Sequence, residues 1–138
     1  MRLILVRHGE SEGNARGVVQ GHMDFGLSAL GQEQARATAQ RLAGEHIDRV
    51  IASPLRRAAE TAQVIASRLG LAVEPGPGLM EYDIGAASGL TGAEIRERHP
   101  EVIEAYARGE RPTFPGEEGR EIFQERILAV LAALTPRS

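Results

Sequence analysis

Cysteine is missing altogether from the 138 residues, which excludes disulfides, thiol chemistry and Cys-based metal sites. No apolar run approaches the ~20 residues of a membrane span. The amino terminus reads as a strand rather than a signal peptide, so a cytoplasmic protein with no membrane partner is the default expectation. Positive charge is not in excess: the net charge is −3, which argues against nonspecific binding to nucleic acid and makes any affinity for anions local. Internal repeats and low-complexity segments are lacking, and no Asp/His set has metal-ligand spacing. What remains is ordinary for a globular protein, with 25% charged and 42% hydrophobic residues. Residues 1–138 are read as one domain, long enough to bury about two-thirds of its unfolded surface.

The chain is organised around its opening stretch. Leu3-Ile4-Leu5-Val6 is a short run of branched apolar residues that ends abruptly in Arg7-His8-Gly9-Glu10-Ser11. It reads as a buried strand in the middle of a parallel sheet, which sets Arg7 and His8 at the strand's carboxyl end, where open α/β sheets place ligands. A glycine-rich loop from Ala15 to Gly26 follows, then a helix capped by Ser28, with Leu30, Ala35, Ala39 and Leu42 on its buried face and an end near Gly44. Val50-Ile51-Ala52 is a second strand. Pro54 suits the first turn of the next helix, whose buried face is Ala58, Ala62, Ile65 and Leu69 and whose end is Gly70. Leu71-Ala72-Val73 is a third strand, and this alternation implies parallel βαβ units. After a Pro/Gly-rich stretch, Thr91-Gly92-Ala93-Glu94 has the spacing of a capping box, so a helix starts at Gly92 and breaks at His99-Pro100. Helices at Val102–Arg108 and Ile122–Leu134 flank a loop containing Pro112, Pro115 and Gly116.

The first two strands of such a sheet aim their carboxyl ends at one crevice, so Arg7-His8 and Ser53-Pro54-Leu55-Arg56 converge. Two guanidiniums, Arg7 and Arg56, and the positive end of the Pro54 helix make a phosphate site, because fork-shaped donors match phosphate oxygens. Neighbouring cations would lower the pKa of His8 and keep one ring nitrogen neutral and nucleophilic. Glu81, on the loop after the third strand, is the available acid for protonating a leaving alkoxide. Arg57 is expected to face elsewhere on the helix and serve the surface, and Glu117-Glu118 to be a solvated loop, with proximity to substrate as the alternative. Glu10 and Ser11 are expected to satisfy backbone groups, and His22, His46 and His99 to have structural or solvent-facing roles. Tyr82 and Asp83 suit packing and the pocket border equally well.

Leu5-Val6-Arg7-His8-Gly9-Glu10-Ser11 resembles the Arg-His-Gly signature of the histidine phosphatase superfamily, which includes the cofactor-dependent phosphoglycerate mutases. The resemblance continues through Asn14, Gln20-Gly21, Leu27-Ser28, Ser53-Pro54-Leu55-Arg56-Arg57-Ala58, Thr61-Ala62, Leu79-Met80-Glu81, Gly89-Leu90-Thr91 and Pro115-Gly116-Glu117-Glu118, covering nearly the whole chain. It implies a phosphoglycerate mutase-like, three-layer α/β/α fold with a mostly parallel central sheet. It implies that His8 is the residue phosphorylated during turnover, that Arg7 and Arg56 clamp the phosphoryl group, that Glu81 is the proton donor, and that Asn14, Gln20 and Gly21 bind substrate. The phosphohistidine route requires neither metal nor cofactor, and the partner it implies is a small phosphorylated metabolite.

One departure stands against these matches. The family carries a second histidine, followed by glycine, at the end of a later central strand, and no His-Gly after an apolar strand exists here. The expectation is a fold incomplete at its C-terminal side, or a homodimer in which a strand is exchanged between copies. Three functional readings follow. The first is a metal-independent phosphatase of small monoesters, favoured because Gln20-Gly21 resembles the phosphatase branch. The second is a phosphoglycerate mutase, and the third a fragment that binds phosphate without turnover.

Overall fold

The computed structural model describes residues 1–134; the closing Thr135-Pro136-Arg137-Ser138 lies outside the described residues. Among the described residues six helices and two short strands follow one another, with single 3₁₀ turns between. The first helix, α1, is a single turn, Glu12–Ala15, between the Arg7–Ser11 stretch and the glycine-rich loop expected from Ala15 onward. Ser11 forms it: the Oγ accepts from the Asn14 amide while the Asn14 side chain accepts from the Ser11 amide. Ser28 caps α2, Ala29–Leu42, through the Gly31 amide, as its position before the apolar face requires.

Strand β1, Val50–Ala52, leads into α3, Arg56–Leu69, which ends at Gly70 in the left-handed conformation (φ 69°) that glycine adopts without strain. Strand β2, Val73–Pro75, begins two residues later than expected and pairs parallel to β1, with Val50 opposite Val73 and Ala52 opposite Pro75. Helices α2 and α3 pack against each other through Ala39, Leu42 and Ile65, flanked by Ile47, Val64 and Leu69. Each fully buried Leu or Ile here contributes roughly 1.5–3 kcal/mol. Thr91 and Glu94 form the anticipated reciprocal cap of α4, Gly92–Arg98. Pro100 then opens α5, Pro100–Ala107, and the last element is α6, Arg120–Leu134.

The opening stretch departs from its expected role as a buried central strand. Residues 1–10 belong to no helix or strand, and Leu3, Ile4, Leu5 and Val6 are exposed, Leu5 by 88%. A strand exists through ladder hydrogen bonds to a neighbour. Among the described residues β1 pairs with β2 alone, and nothing pairs with Leu3–Val6. A groove of about 890 Å³ has residues 1–8, β1 and the apolar side chains of Phe123, Ile127 and Leu131 among its walls. The apolar pattern of this run suggests a strand, but the described residues form no sheet around it.

Candidate active site

The Arg7-His8-Gly9 turn is held between α2 and α3. The Gly9 amide donates to Thr61 Oγ1 on α3 (3.0 Å), and the Glu10 amide to Gln34 Oε1 on α2 (2.8 Å). Ser28 donates from both amide and hydroxyl to Glu10, whose carbonyl and carboxylate accept. The approach to α2 is so close that a Cβ on Gly31 would stand 1.9 Å from the Glu10 carbonyl oxygen, and one on Gly9 would stand 2.5 Å from that of Gly31. Ser11 therefore satisfies a backbone group, as expected, while the Glu10 carboxylate accepts from the Ser28 hydroxyl instead, and both fix the segment that carries His8.

The tautomer of His8 follows from its partner. Nδ1 lies 2.6 Å from the Gly9 carbonyl oxygen, which can only accept, so Nδ1 carries the proton and Nε2 the lone pair. Burial holds the imidazole pKa below the ordinary 6.5, and the guanidiniums of Arg57 and Arg7 act in the same direction. The downward shift is in the direction expected from neighbouring cations, with desolvation as the larger cause.

The second arginine at His8 is Arg57, not Arg56. Arg57 is 2% exposed and donates to the carbonyls of Gly21 (2.8 Å) and Met23 (2.9 Å), and burial pulls its pKa below the usual arginine value. Arg56 points outward: its side chain is 60% exposed and donates to Glu60 one turn along the helix. The reason is helical geometry, since Arg57, Thr61 and Ile65 recur at intervals of four on the face that α3 buries. Arg56 and Glu60 share the solvent face at the same spacing. The helix amino terminus is also engaged by the protein itself, because the Arg56 amide donates to Asp24 Oδ1 at 2.6 Å.

A pocket of about 280 Å³ collects most of the remaining candidates. Arg7, His8, Asn14, Gln20, Gly21, Arg57, Glu81 and Tyr82 all line it. Gln20 is buried and accepts from Ser11 Oγ (2.5 Å), which fixes its side chain against α1. Gly21 has φ 52°, and a Cβ there would stand 2.8 Å from Ile84. Glu81 is exposed, and its Oε1 accepts from the Tyr82 amide (2.8 Å). His8 is the one histidine on this lining among the described residues. His22 instead donates from Nε2 to the Glu81 carbonyl (2.6 Å), His46 is solvent-facing, and His99 packs edge-on to Phe114. No group of three or more His, Cys, Asp or Glu among the described residues is placed to hold a metal ion.

The family pattern described as the histidine phosphatase superfamily (branch 1) matches residues 3–138. The chain belongs to that superfamily. It is 36% identical over 138 residues to phosphoserine phosphatase 1 of Hydrogenobacter thermophilus, covering 99% of this chain and 65% of that protein. It is 40% identical over 107 residues to phosphoglycerate mutase-like protein 4 of Arabidopsis thaliana, covering 76% of this chain and 46% of that one. Among solved structures, a mycobacterial glucosyl-3-phosphoglycerate phosphatase complexed with VO3 superposes with a TM-score of 0.80 at 33% identity, covering 94% of this chain and 63% of that chain. The chain thus spans less than two thirds of the length of these relatives. The α/β fold with a parallel sheet flanked by helices is that of these histidine phosphatases.

Proposed function

We propose that the pocket around His8 is the phosphoryl-accepting site of a metal-independent phosphatase acting on small phosphate monoesters. The observation that carries this reading is the fixed tautomer of His8: Nδ1 is committed to the Gly9 carbonyl, Nε2 is left neutral, and Arg7, Arg57 and Glu81 line the same small pocket. Nε2 attacks the phosphorus of a bound monoester, a P–N bond forms, and the P–O ester bond breaks. The leaving oxygen takes its proton from the Glu81 carboxyl. Water then attacks the phosphohistidine phosphorus, Glu81 accepts a proton from that water, the P–N bond breaks with its electron pair returning to Nε2, and inorganic phosphate departs. Guanidinium forks stabilise the charge on the three equatorial oxygens in both steps. Asn14, Gln20 and Gly21, on the same lining, are the substrate-side positions.

The test is turnover of an aryl phosphate in the presence of chelator by the 138-residue chain and by its His8→Ala variant. Metal-independent hydrolysis that disappears in His8→Ala is the expected result, and equal rates in the two proteins would overturn the role of His8. A phosphorylated His8 that forms without release favours the reading of a site that binds and accepts phosphate without completing turnover. That reading is motivated by the single histidine on the lining. Interconversion of 3- and 2-phosphoglycerate after priming with a bisphosphate favours the mutase reading, which the resemblance to a mutase-like relative keeps in view.

A further inference from the structure

The loop that carries Glu81 is gripped by one side chain that the proposed chemistry does not use. Arg126 on α6 spends all five of its N–H donors within the protein. Nη1 donates to the carbonyls of Gly78 (2.9 Å) and Met80 (2.5 Å), and Nη2 donates to the Glu81 carbonyl (2.9 Å). The remaining donors go to both oxygens of the Glu118 carboxylate, from Nη2 (2.6 Å) and Nε (3.0 Å). This fork holds the Glu118 carboxyl below the usual carboxylate range. Glu118 in turn accepts from the Asp83 amide and donates its own amide to the Asp83 carbonyl.

The grip is closed on other sides as well. The Arg126 guanidinium sits 4.8 Å over the Phe123 ring, whose centroid is 5.4 Å from that of Tyr82. The Tyr82 hydroxyl donates to Glu117, and burial together with that carboxylate pushes the phenol up to about 12. A Cβ on Gly78 would stand 2.5 Å from a Val130 side-chain methyl and 3.2 Å from the Arg126 carbonyl oxygen, so the loop lies directly against α6 at this glycine. Glu81 itself is exposed, so packing does not set its depth in the pocket; the backbone beneath it does.

We propose that Arg126 is a positioning residue that sets the reach of the Glu81 carboxyl toward the leaving oxygen, with Glu118 orienting the guanidinium. The proposal rests on the reading of Glu81 as proton donor. A compact ammonium has three donors and no planar fork, so lysine reproduces the charge without the geometry. Misplacing a reacting group by about 1 Å can cost ~10²-fold in rate.

Two substrates separate positioning from general damage. An alkyl phosphate needs a proton on its leaving oxygen, whereas an aryl phosphate with an acidic phenol does not. In Arg126→Met and Arg126→Lys, phosphoryl transfer to His8 from the alkyl phosphate should fall at least ~10-fold in kcat with KM little changed, while transfer from the aryl phosphate holds. Combined with Glu81→Gln, Arg126→Met should add no further loss on the alkyl substrate. An equal fall on both substrates, or a further loss in the Glu81→Gln background, would overturn the proposal.

A second measurement does not depend on turnover. Amide hydrogen exchange at Tyr82 and Asp83 should speed at least ~10-fold in Arg126→Met while the amides of Thr61 and Ala62 on α3 are unchanged. Unchanged exchange at Tyr82 and Asp83 overturns the grip. If the parent chain transfers phosphoryl from neither substrate, the phosphatase reading fails, and the exchange pattern still decides whether Arg126 holds the loop.

Discussion

Arg56 and Arg57 are adjacent in sequence and identical in chemistry, yet one faces Glu60 in solvent and the other is buried beside His8. A 100° turn of the helix is the whole difference. Arg57→Ala should weaken binding of inorganic phosphate and slow phosphoryl transfer by ~10²-fold, the usual scale for losing a charged donor at a developing oxyanion. Arg56→Ala should leave both within a few-fold and cost only the ~0.3–0.5 kcal/mol of an exposed ion pair. Titration with phosphate followed through the His8 imidazole resonances, alongside aryl phosphate kinetics, reads both effects. Equal losses in the two variants would mean that the outward arginine swings into the pocket.

His8 itself gives a pH expectation. Because burial and two guanidiniums disfavour the imidazolium, the folded chain takes up this proton below pH 6.5, whereas the unfolded chain takes it up near 6.5. The acid limb of kcat/KM attributable to His8 should therefore lie below 6.5, visible in a pH–rate profile. The same linkage makes the unfolded state bind more protons in that window, so this residue's effect is to lower stability as pH falls through it. Chemical denaturation at several pH values should find that slope reduced in His8→Ala.

At the scale of elements, the site depends on how closely the segment after His8 approaches α2. Gly31→Ala would put a methyl group 1.9 Å from the Glu10 carbonyl oxygen, on a helix that cannot shift without disturbing the Ala39–Leu42–Ile65 cluster. Urea unfolding should report a loss of about 1–3 kcal/mol, the cost of overpacking, although alanine is the better helix former. A neutral or stabilising result would show that the approach is looser than described. The acid loop depends likewise on α6: Gly78, Arg126 and Glu118 come from separate stretches and meet in one network. Nothing in the local pattern of any of these stretches announces that meeting, which is why Glu118 reads from sequence as a solvated loop residue.

For the molecule as a whole, an apolar segment and a strand edge border the same groove without a ladder between them. Exposed apolar chain beside an unpaired edge favours association with another strand, and exchange between two copies is one way to satisfy it. The 138-residue chain should self-associate with rising concentration in sedimentation velocity. Leu5→Lys should reduce that association, because a charge on an edge segment opposes pairing. A monomer at all concentrations in the parent chain would remove strand exchange as the means of covering the groove.

Local signals were sufficient wherever structure is decided within a few residues. Ser28 and Thr91 cap the helices they precede, Gly70 ends α3 in the left-handed conformation, and β1 and β2 pair in parallel across α3. That Arg7, His8 and Glu81 line one pocket is anticipated from parallel strands delivering their carboxyl ends to one side, but Arg7 and His8 reach it on a segment that is no strand and is held by α2 and α3. The choice between Arg56 and Arg57 was recoverable in principle from the four-residue recurrence of Arg57, Thr61 and Ile65, but it was fixed only by which face α3 turns to the core. The state of the opening run could not be read from its own residues, since a strand is a relation between two segments and Leu3–Val6 supplies only one of them. Sequence alone therefore singled out His8 as the candidate nucleophile and Glu81 as the candidate acid. Tertiary structure decided which arginine attends His8, what holds Glu81 in place, and that the first apolar run stands beside a groove with no strand partner among the described residues, because each of these depends on contacts between segments far apart in the chain.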